Sequence, residues 1–164
     1  MVLSHLEIVP PSGRWKSAWR RPSTEGAEGG SRAARRAVSV RWIVDGMNVI
    51  GSRPDGWWKD RSGAMVALVE KLDQWAMAEG DDVTVVFERP PSAAIRSSRV
   101  EVAHAPRAAA NSADDEIVRR VQADARPDEI RVVTSDKVLA DRVRTLGASV
   151  YPAESFRRLV DPQD

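Results

Sequence analysis

The distribution of hydrophobic and polar positions changes at about residue 40. Residues 1–38 contain paired prolines and glycines, scattered serine and arginine, and no sustained strand or helix periodicity, which predicts a disordered basic tail. Trp15 and Trp19 have the spacing of a short docking helix, but a transiently ordered tail is the favoured interpretation. From Val40 onward, short apolar runs alternate with amphipathic stretches, a pattern typical of β/α units around a parallel sheet. We therefore predict one α/β domain over residues 39–164.

The periodic stretches predict individual strands and helices. A helix over 61–79 is the clearest, because its apolar residues recur at helical spacing and Gly80 is placed to end it. Its predicted buried face consists of Met65, Leu68, Val69, Leu72, Trp75 and Ala76. Further helices are predicted over 113–125, with Ile117, Val118 and Val121 facing inward, and over 137–146, closed by Gly147. The predicted strands are 41–44, 83–87, a short one at 100–103, 131–134 and 148–150.

Composition narrows the chemistry that one such domain can perform. The chain has 164 residues, no cysteine and only two histidines, His5 and His104. Thiolate zinc sites, disulfides and histidine-rich metal sites are therefore not expected, and any metal must be held by oxygen. No apolar run is long enough to cross a bilayer and no secretory signal is recognisable. The sequence thus predicts a cytoplasmic protein without a membrane partner.

Charge is unevenly distributed along the chain. Residues 1–40 carry 7 basic and 3 acidic side chains, whereas residues 41–164 carry 18 and 21. A mildly acidic domain does not bind nucleic acid by its bulk charge. A nucleic-acid function would therefore require a local basic surface beside an acidic pocket.

Acidic residues follow the predicted strands at the points where those strands end. Asp45 and Glu88 come directly after two of them, Asp136 lies two residues beyond a third, and Asp114 and Asp115 open a helix. Each has an ordinary explanation as a helix cap, a turn residue or a solvated strand end. In parallel sheets, however, ligands bind at the carboxyl ends of the strands. Several carboxylates at that edge favour a divalent-metal site.

This choice of residues suits hydrolysis of a phosphodiester. Mg²⁺ or Mn²⁺ held by carboxylates activates a water molecule and stabilises the leaving oxygen without a protein nucleophile. Asn48, three residues after Asp45, could orient a ligand water or hold a backbone segment in place. Its alternative interpretation is a turn-forming or capping asparagine.

Four ordered motifs resemble a known family. They are the stretches 44–51 (VDGMNVIG), 85–88 (VVFE), 112–117 (SADDEI) and 133–136 (VTSD), joined by 99–102 (RVEV). Together they resemble the YacP-like branch of the NYN domain, a relative of PIN nucleases, over roughly residues 40–160. The resemblance implies a PIN-like three-layer α/β/α sandwich with a mainly parallel central sheet. It further implies Mg²⁺- or Mn²⁺-dependent endonucleolytic cleavage of RNA, with Asp45, Asp114 and Asp136 as the core metal-site acids.

The sequence departs from the family pattern at one position. Relatives usually end the second strand with aspartate, whereas this chain has Glu88, which is longer by one methylene group. Glu88 could still reach a metal through water, and Asp115 is a further candidate ligand beside Asp114.

A local basic surface is predicted between Glu88 and the acidic helix. This segment contains four arginines but only one acid, Glu101, and it also includes His104. The arginines are Arg89, Arg96, Arg99 and Arg107. Arginine binds phosphate in a bidentate manner and stacks on bases, so this loop is a candidate RNA contact. A solvated arginine-rich loop is the alternative. The expected partner is RNA, specifically mRNA, with association with the ribosome as one alternative.

Trp57, Trp58 and Asp60 also follow the first strand. The two tryptophans could stack on an unpaired base, but a role in covering the core is favoured, and Asp60 is predicted to cap the following helix.

Two rival functions remain. A non-catalytic RNA-binding or ribosome-associated adaptor would keep the fold with a degenerate site. A phosphotransfer domain would require an acid pair after the first strand or an Asp-x-Asp motif, and Asp45-Gly46-Met47 supplies neither.

Overall fold

A computed structural model of the chain describes residues 40–163. The predicted tail over residues 1–38, with Trp15 and Trp19, lies outside this part. No helix within residues 40–163 combines the length and the apolar character needed to cross a membrane.

The centre of the domain is a sheet of five strands, all parallel to their neighbours. The strands are β1 (Arg41–Asp45), β2 (Asp82–Phe87), β3 (Val100–His104), β4 (Ile130–Val133) and β5 (Ser149–Tyr151). Their order is β3-β2-β1-β4-β5, so β1 is the middle strand. β1, β2 and β4 are rich in buried β-branched residues, as expected for strands that are covered on both faces.

Helices cover both faces of this sheet. They are α1 (Gly46–Gly51), α2 (Arg61–Glu79), α3 (Ser112–Ala123), α4 (Lys137–Thr145) and α5 (Ala153–Val160), with short 3-10 turns at Trp57–Lys59 and Pro127–Glu129. α3 and α4 share one apolar core with the sheet, and α1, α2 and α5 pack together. The predicted three-layer α/β/α sandwich is therefore confirmed, with a sheet that is entirely parallel.

The core beneath α2 and α5 is built around Trp42 of β1. The Trp42 ring lies 5.4 Å from Trp75 and 5.2 Å from Phe156 between centroids. Its Nε1 donates a hydrogen bond of 3.1 Å to the buried carboxylate of Asp81, so the indole is satisfied at its polar atom as well. This packing ties β1 to the last helix of the chain.

Most predicted elements are found with shifts of one or two residues at their ends. The helix predicted over 61–79 has these bounds, its predicted inner face is buried, and Gly80 ends it with a φ of 72°. The short third strand is also present. Two helices, α1 and α5, were not predicted. Both begin at the carboxyl edge of the sheet, α1 directly after Asp45 and α5 at Ala153, whose backbone N–H bonds to Ser135.

Candidate active site

The acidic residues lie at a switch point of the sheet. The chain passes from β1 to β2 and β3 on one side, then returns to β4 and β5 on the other. At such a point the connections leave neighbouring strands in opposite directions and open a crevice at their carboxyl ends. Asp45 ends β1, and Asp136 follows the adjacent strand β4. The sheet order thus brings together two acids that are far apart in sequence.

Asp45 is the most enclosed of these acids, with 6% of its surface exposed. Thr134 donates a hydrogen bond of 3.1 Å from Oγ1 to its Oδ2. The backbone amide of Asn48 also favours the Asp45 carboxylate, although its geometry falls short of a full hydrogen bond. Burial, followed by the charge of Asp114, outweighs these donors and raises the pKa of Asp45 to about 7.

Asp114 and Asp136 occupy the starts of two helices. Asp114 lies in the first turn of α3, and its pKa is raised by burial and then by the charge of Asp136. Arg142 acts in the opposite direction on Asp114. Asp136 caps α4 by accepting a hydrogen bond of 2.9 Å from the backbone N–H of Leu139. Its capping role is therefore real, and its charge still acts on both other acids.

Asn48 connects the two sides of the crevice. Its Oδ1 accepts a hydrogen bond of 2.8 Å from the backbone N–H of Ser135, which directly precedes Asp136. Ser135 in turn accepts, at its Oγ, a 3.0 Å hydrogen bond from the backbone N–H of Ala153. Asn48 thus holds a backbone segment, one of the two functions expected for it.

The remaining predicted acids lie further out. Asp115 is 72% exposed and forms an ion pair of 3.0 Å with Arg142 at the surface. Glu88 follows β2, is half-buried, and raises the pKa of Asp114 through its charge. Across residues 40–163, no three acidic or histidine side chains are arranged as a ready-made set of metal ligands. The acids are near enough to repel one another without forming a closed ligand cage.

Comparison with known families identifies the domain that carries these acids. The model of the YacP-like NYN domain matches residues 42–164. The chain belongs to this family. The relationship to PIN-like nucleases that the motifs predict is therefore shown. A search of curated proteins found no match.

Two solved structures of Rae1 (YacP) from Bacillus subtilis are similar to this NYN domain. A mutant form has 28% sequence identity and a TM-score of 0.61, and the match covers 74% of this chain and 75% of that one. A second structure, with no mutation named, has 28% identity and a TM-score of 0.58, with 73% and 72% covered. This likeness supports the PIN-like fold.

The predicted basic surface of the NYN domain is exposed, and part of it is anchored. The guanidinium-bearing residues Arg89, Arg96, Arg99 and Arg107 are all exposed. Asp73 of α2 accepts hydrogen bonds from Ser97 Oγ and from the backbone N–H groups of Ser98, Arg99 and Val100. These bonds lower the pKa of Asp73, and they fix the segment that leads into β3. A contact between these arginines and RNA stays a prediction.

The favoured interpretation of Trp58 is wrong, whereas that of Asp60 is confirmed. Trp58 is 54% exposed because it lies on a short 3-10 turn outside the core, and Trp57 is only half-buried. Asp60 caps α2 by accepting a hydrogen bond of 2.9 Å from the backbone N–H of Gly63. Trp58 therefore does not cover the core of the NYN domain, whereas the half-buried Trp57 leaves that interpretation open for its own ring.

Thr134 and Arg142 contribute to the site but were not predicted. Thr134 is 1% exposed, and its Oγ1 donates to Asp45 and accepts a 3.1 Å hydrogen bond from the backbone N–H of Asp136. The available signal was a hydroxyl residue directly before the Ser135-Asp136 pair at a strand end. Arg142 gave no local signal, because it reaches the acids from the second turn of α4.

We expect Thr134→Val to remove the hydroxyl that links Asp45 to the backbone of Asp136. The substitution should leave no cavity, because valine has nearly the same shape as threonine. Loss of the hydroxyl leaves Asp45 without its donor and should raise the pKa of Asp45 further. The free energy of unfolding should fall by about 1 to 3 kcal/mol, measured by denaturant titration. Thr134→Ser keeps the hydroxyl and is the matched control. Equal stability of the valine variant and the wild type would contradict this role.

Proposed function

We propose that this chain is a divalent-metal-dependent endoribonuclease. It cleaves single-stranded RNA at a metal site formed by Asp45, Asp114 and Asp136. The observation that carries the proposal is the meeting of three carboxylates from three separate elements at the switch point. Burial and mutual repulsion raise the pKa values of Asp45 and Asp114, so their charged forms are unfavourable without a cation. Membership of a PIN-like nuclease family supports the same reaction.

The donor chemistry fits Mg²⁺ or Mn²⁺. Carboxylate oxygens of Asp45, Asp114 and Asp136 are the available ligands. The chain has no cysteine, and the one histidine within residues 40–163, His104, is exposed. The absence of a closed three-ligand set within residues 40–163 is compatible with Mg²⁺, which usually keeps several waters and takes one or two carboxylates. When bound, the cation supplies Lewis-acid stabilisation of charge on the scissile phosphate.

The protein's own contribution is the placement of these acids. Thr134 fixes the Asp45 carboxylate, and Asn48 fixes the backbone that carries Asp136. Asp115 draws Arg142 toward the same edge, where the guanidinium reduces the repulsion at Asp114. Rigid placement of this kind lets the charged groups act without reorganising when the substrate is bound.

The experiment that tests the proposal is incubation of the purified chain with single-stranded RNA in Mn²⁺, in Mg²⁺ and in EDTA. We expect internal cleavage with either metal and none in EDTA. RNA binding without cleavage in any metal would instead establish the non-catalytic adaptor, whose basis in the sequence is Glu88 in place of the aspartate usual in relatives. Association of that adaptor with ribosomes stays a prediction.

The metal preference should depend on Glu88. If Glu88 contributes a ligand, its longer side chain tolerates the larger and more adaptable Mn²⁺ better than Mg²⁺, so cleavage should be faster in Mn²⁺. Glu88→Asp should raise Mg²⁺-supported cleavage, and Glu88→Gln should weaken cleavage in both metals. Initial rates over a range of each metal give the answer. If wild type and both variants cleave alike, Glu88 has no place in the metal site.

A further inference from the structure

A cleft of about 280 Å³ adjoins the acids on the β2 side of the site. Its main lining residues are Met47, Arg61, Met65, Glu88, Arg89 and Pro91. We call it the Arg61–Arg89 cleft. Met47 lies two residues after Asp45, and the charge of Glu88 acts on Asp114. Because Glu88 lines the cleft and its charge acts on Asp114, the cleft lies beside the carboxylates.

The two arginines give this cleft a positive rim. Arg61 and Arg89 are both exposed, and within residues 40–163 neither forms an ion pair with a carboxylate. Arg61 is the first residue of α2, whose N-terminus is already capped by the Asp60 carboxylate. The two guanidinium groups, rather than the helix end, therefore favour an anion at this rim. A phosphate group is the anion that a nucleic-acid strand offers there.

The Arg61 guanidinium also connects the cleft to the exposed tryptophans. It lies over the Trp57 ring, 5.7 Å from the centroid, so cation–π attraction restricts its direction. The Trp57 ring meets Trp58 edge-on at 6.0 Å. Trp58 presents more than half of its surface to solvent. An aromatic face next to a phosphate-binding arginine is the arrangement by which proteins hold unpaired nucleotides.

We propose that the Arg61–Arg89 cleft binds the nucleotides on one side of the cleaved bond in single-stranded RNA. A phosphate lies between Arg61 and Arg89, and an unpaired base stacks on Trp58. This inference rests on the proposed function and deepens it, because it explains how the site selects an unpaired strand. A duplex keeps its bases stacked inside and offers no face to Trp58.

The test measures affinity rather than cleavage. The full chain in EDTA is titrated into a fluorescently labelled single-stranded RNA and into a duplex of the same sequence, and anisotropy gives each Kd. We expect Trp58→Ala and Arg61→Ala each to weaken single-strand binding by roughly 5- to 20-fold. Trp58→Ala should leave duplex binding unchanged, and Trp58→Phe should restore most of the single-strand affinity.

Two exposed residues at the far end of their helices provide matched controls. Met77→Ala removes an exposed apolar side chain near the end of α2, and Arg144→Ala removes an exposed guanidinium near the end of α4. Both should bind RNA as the wild type does. Wild-type affinity in Trp58→Ala would overturn the proposal, as would an equal loss in Arg144→Ala or on the duplex. If the chain never cleaves RNA but Trp58→Ala still loses affinity, the proposed function fails while this binding site stands.

Discussion

Replacing Asp45 by asparagine should lower RNA cleavage by more than about 100-fold while making the metal-free protein more stable at pH 8. The loss follows from removal of a ligand charge at the centre of the site. The gain follows from removal of a buried carboxylate whose charged form is unfavourable, and it should be about 1 to 3 kcal/mol in the free energy of unfolding.

The gain in stability should depend on pH with a defined sign. The pKa of Asp45 is about 7 in the folded protein and near 3.8 in the unfolded chain, so the folded state binds the proton more tightly. The wild type therefore loses stability as the pH rises from about 4 to about 7, and the loss is complete above that range. Asp45→Asn should match the wild type at pH 4 and exceed it at pH 8.

Denaturant titrations of both proteins at the two pH values check this prediction. Asp128→Asn is the control, because Asp128 is an exposed acid before β4 at the opposite edge of the sheet. A clear loss of stability at pH 8 in Asp45→Asn would mean that the carboxylate serves to start α1. That result would weaken the assignment of Asp45 as a metal ligand.

Replacing Gly46 by alanine should damage both stability and activity. A Cβ atom at Gly46 would lie 2.7 Å from Cδ1 of Phe87, closer still to Cε1 of that ring, and 3.0 Å from Cγ2 of Val85. These neighbours are buried and cannot move aside freely. We expect a loss of about 1 to 3 kcal/mol in the free energy of unfolding.

The catalytic effect of Gly46→Ala should exceed its effect on stability, because α1 begins next to Asp45. A displacement of the helix start also displaces the carboxylate, and small errors of this kind lower rates by roughly 10- to 100-fold. Gly51→Ala is the matched control in the same helix, since its Cβ would meet only Trp57, at an ordinary 3.9 Å. Thermal melting and initial cleavage rates distinguish the two variants. Equal behaviour of both would show that the approach of Phe87 does not constrain α1.

Local sequence patterns were sufficient for the strands and the long helices. The apolar runs of β1 and β2 and the helical spacing of α2 are carried by adjacent residues, so they can be read without knowledge of the fold. α1 is different, because it has six residues, glycine at both ends, and the β-branched Val49 and Ile50 within it. Burial of Val49 and Ile50 against neighbouring helices stabilises this turn, and that burial is a property of the tertiary structure.

The acids could be located from the sequence because the carboxyl ends of parallel strands meet at one edge. That rule places Asp45 and Asp136 together without any distance being known. It gives no information about Thr134, whose hydroxyl joins the two acids only after β1 and β4 have paired. Nor does it predict that Trp58 is exposed, because two adjacent tryptophans in a loop can either cover the core or form a binding surface.

The central position of β1 has a consequence for synthesis of the chain on the ribosome. β1 pairs with β4, and Asp45 meets Thr134 across 89 residues of sequence. A nascent chain that ends before β4 therefore contains Asp45 and Asp114 but lacks the partner that fixes Asp45. Contacts between such distant segments form late, since the intervening chain must first be ordered. The acidic edge is accordingly completed only after β4 has been synthesised, so products truncated before β4 should carry Asp45 and Asp114 without a complete site.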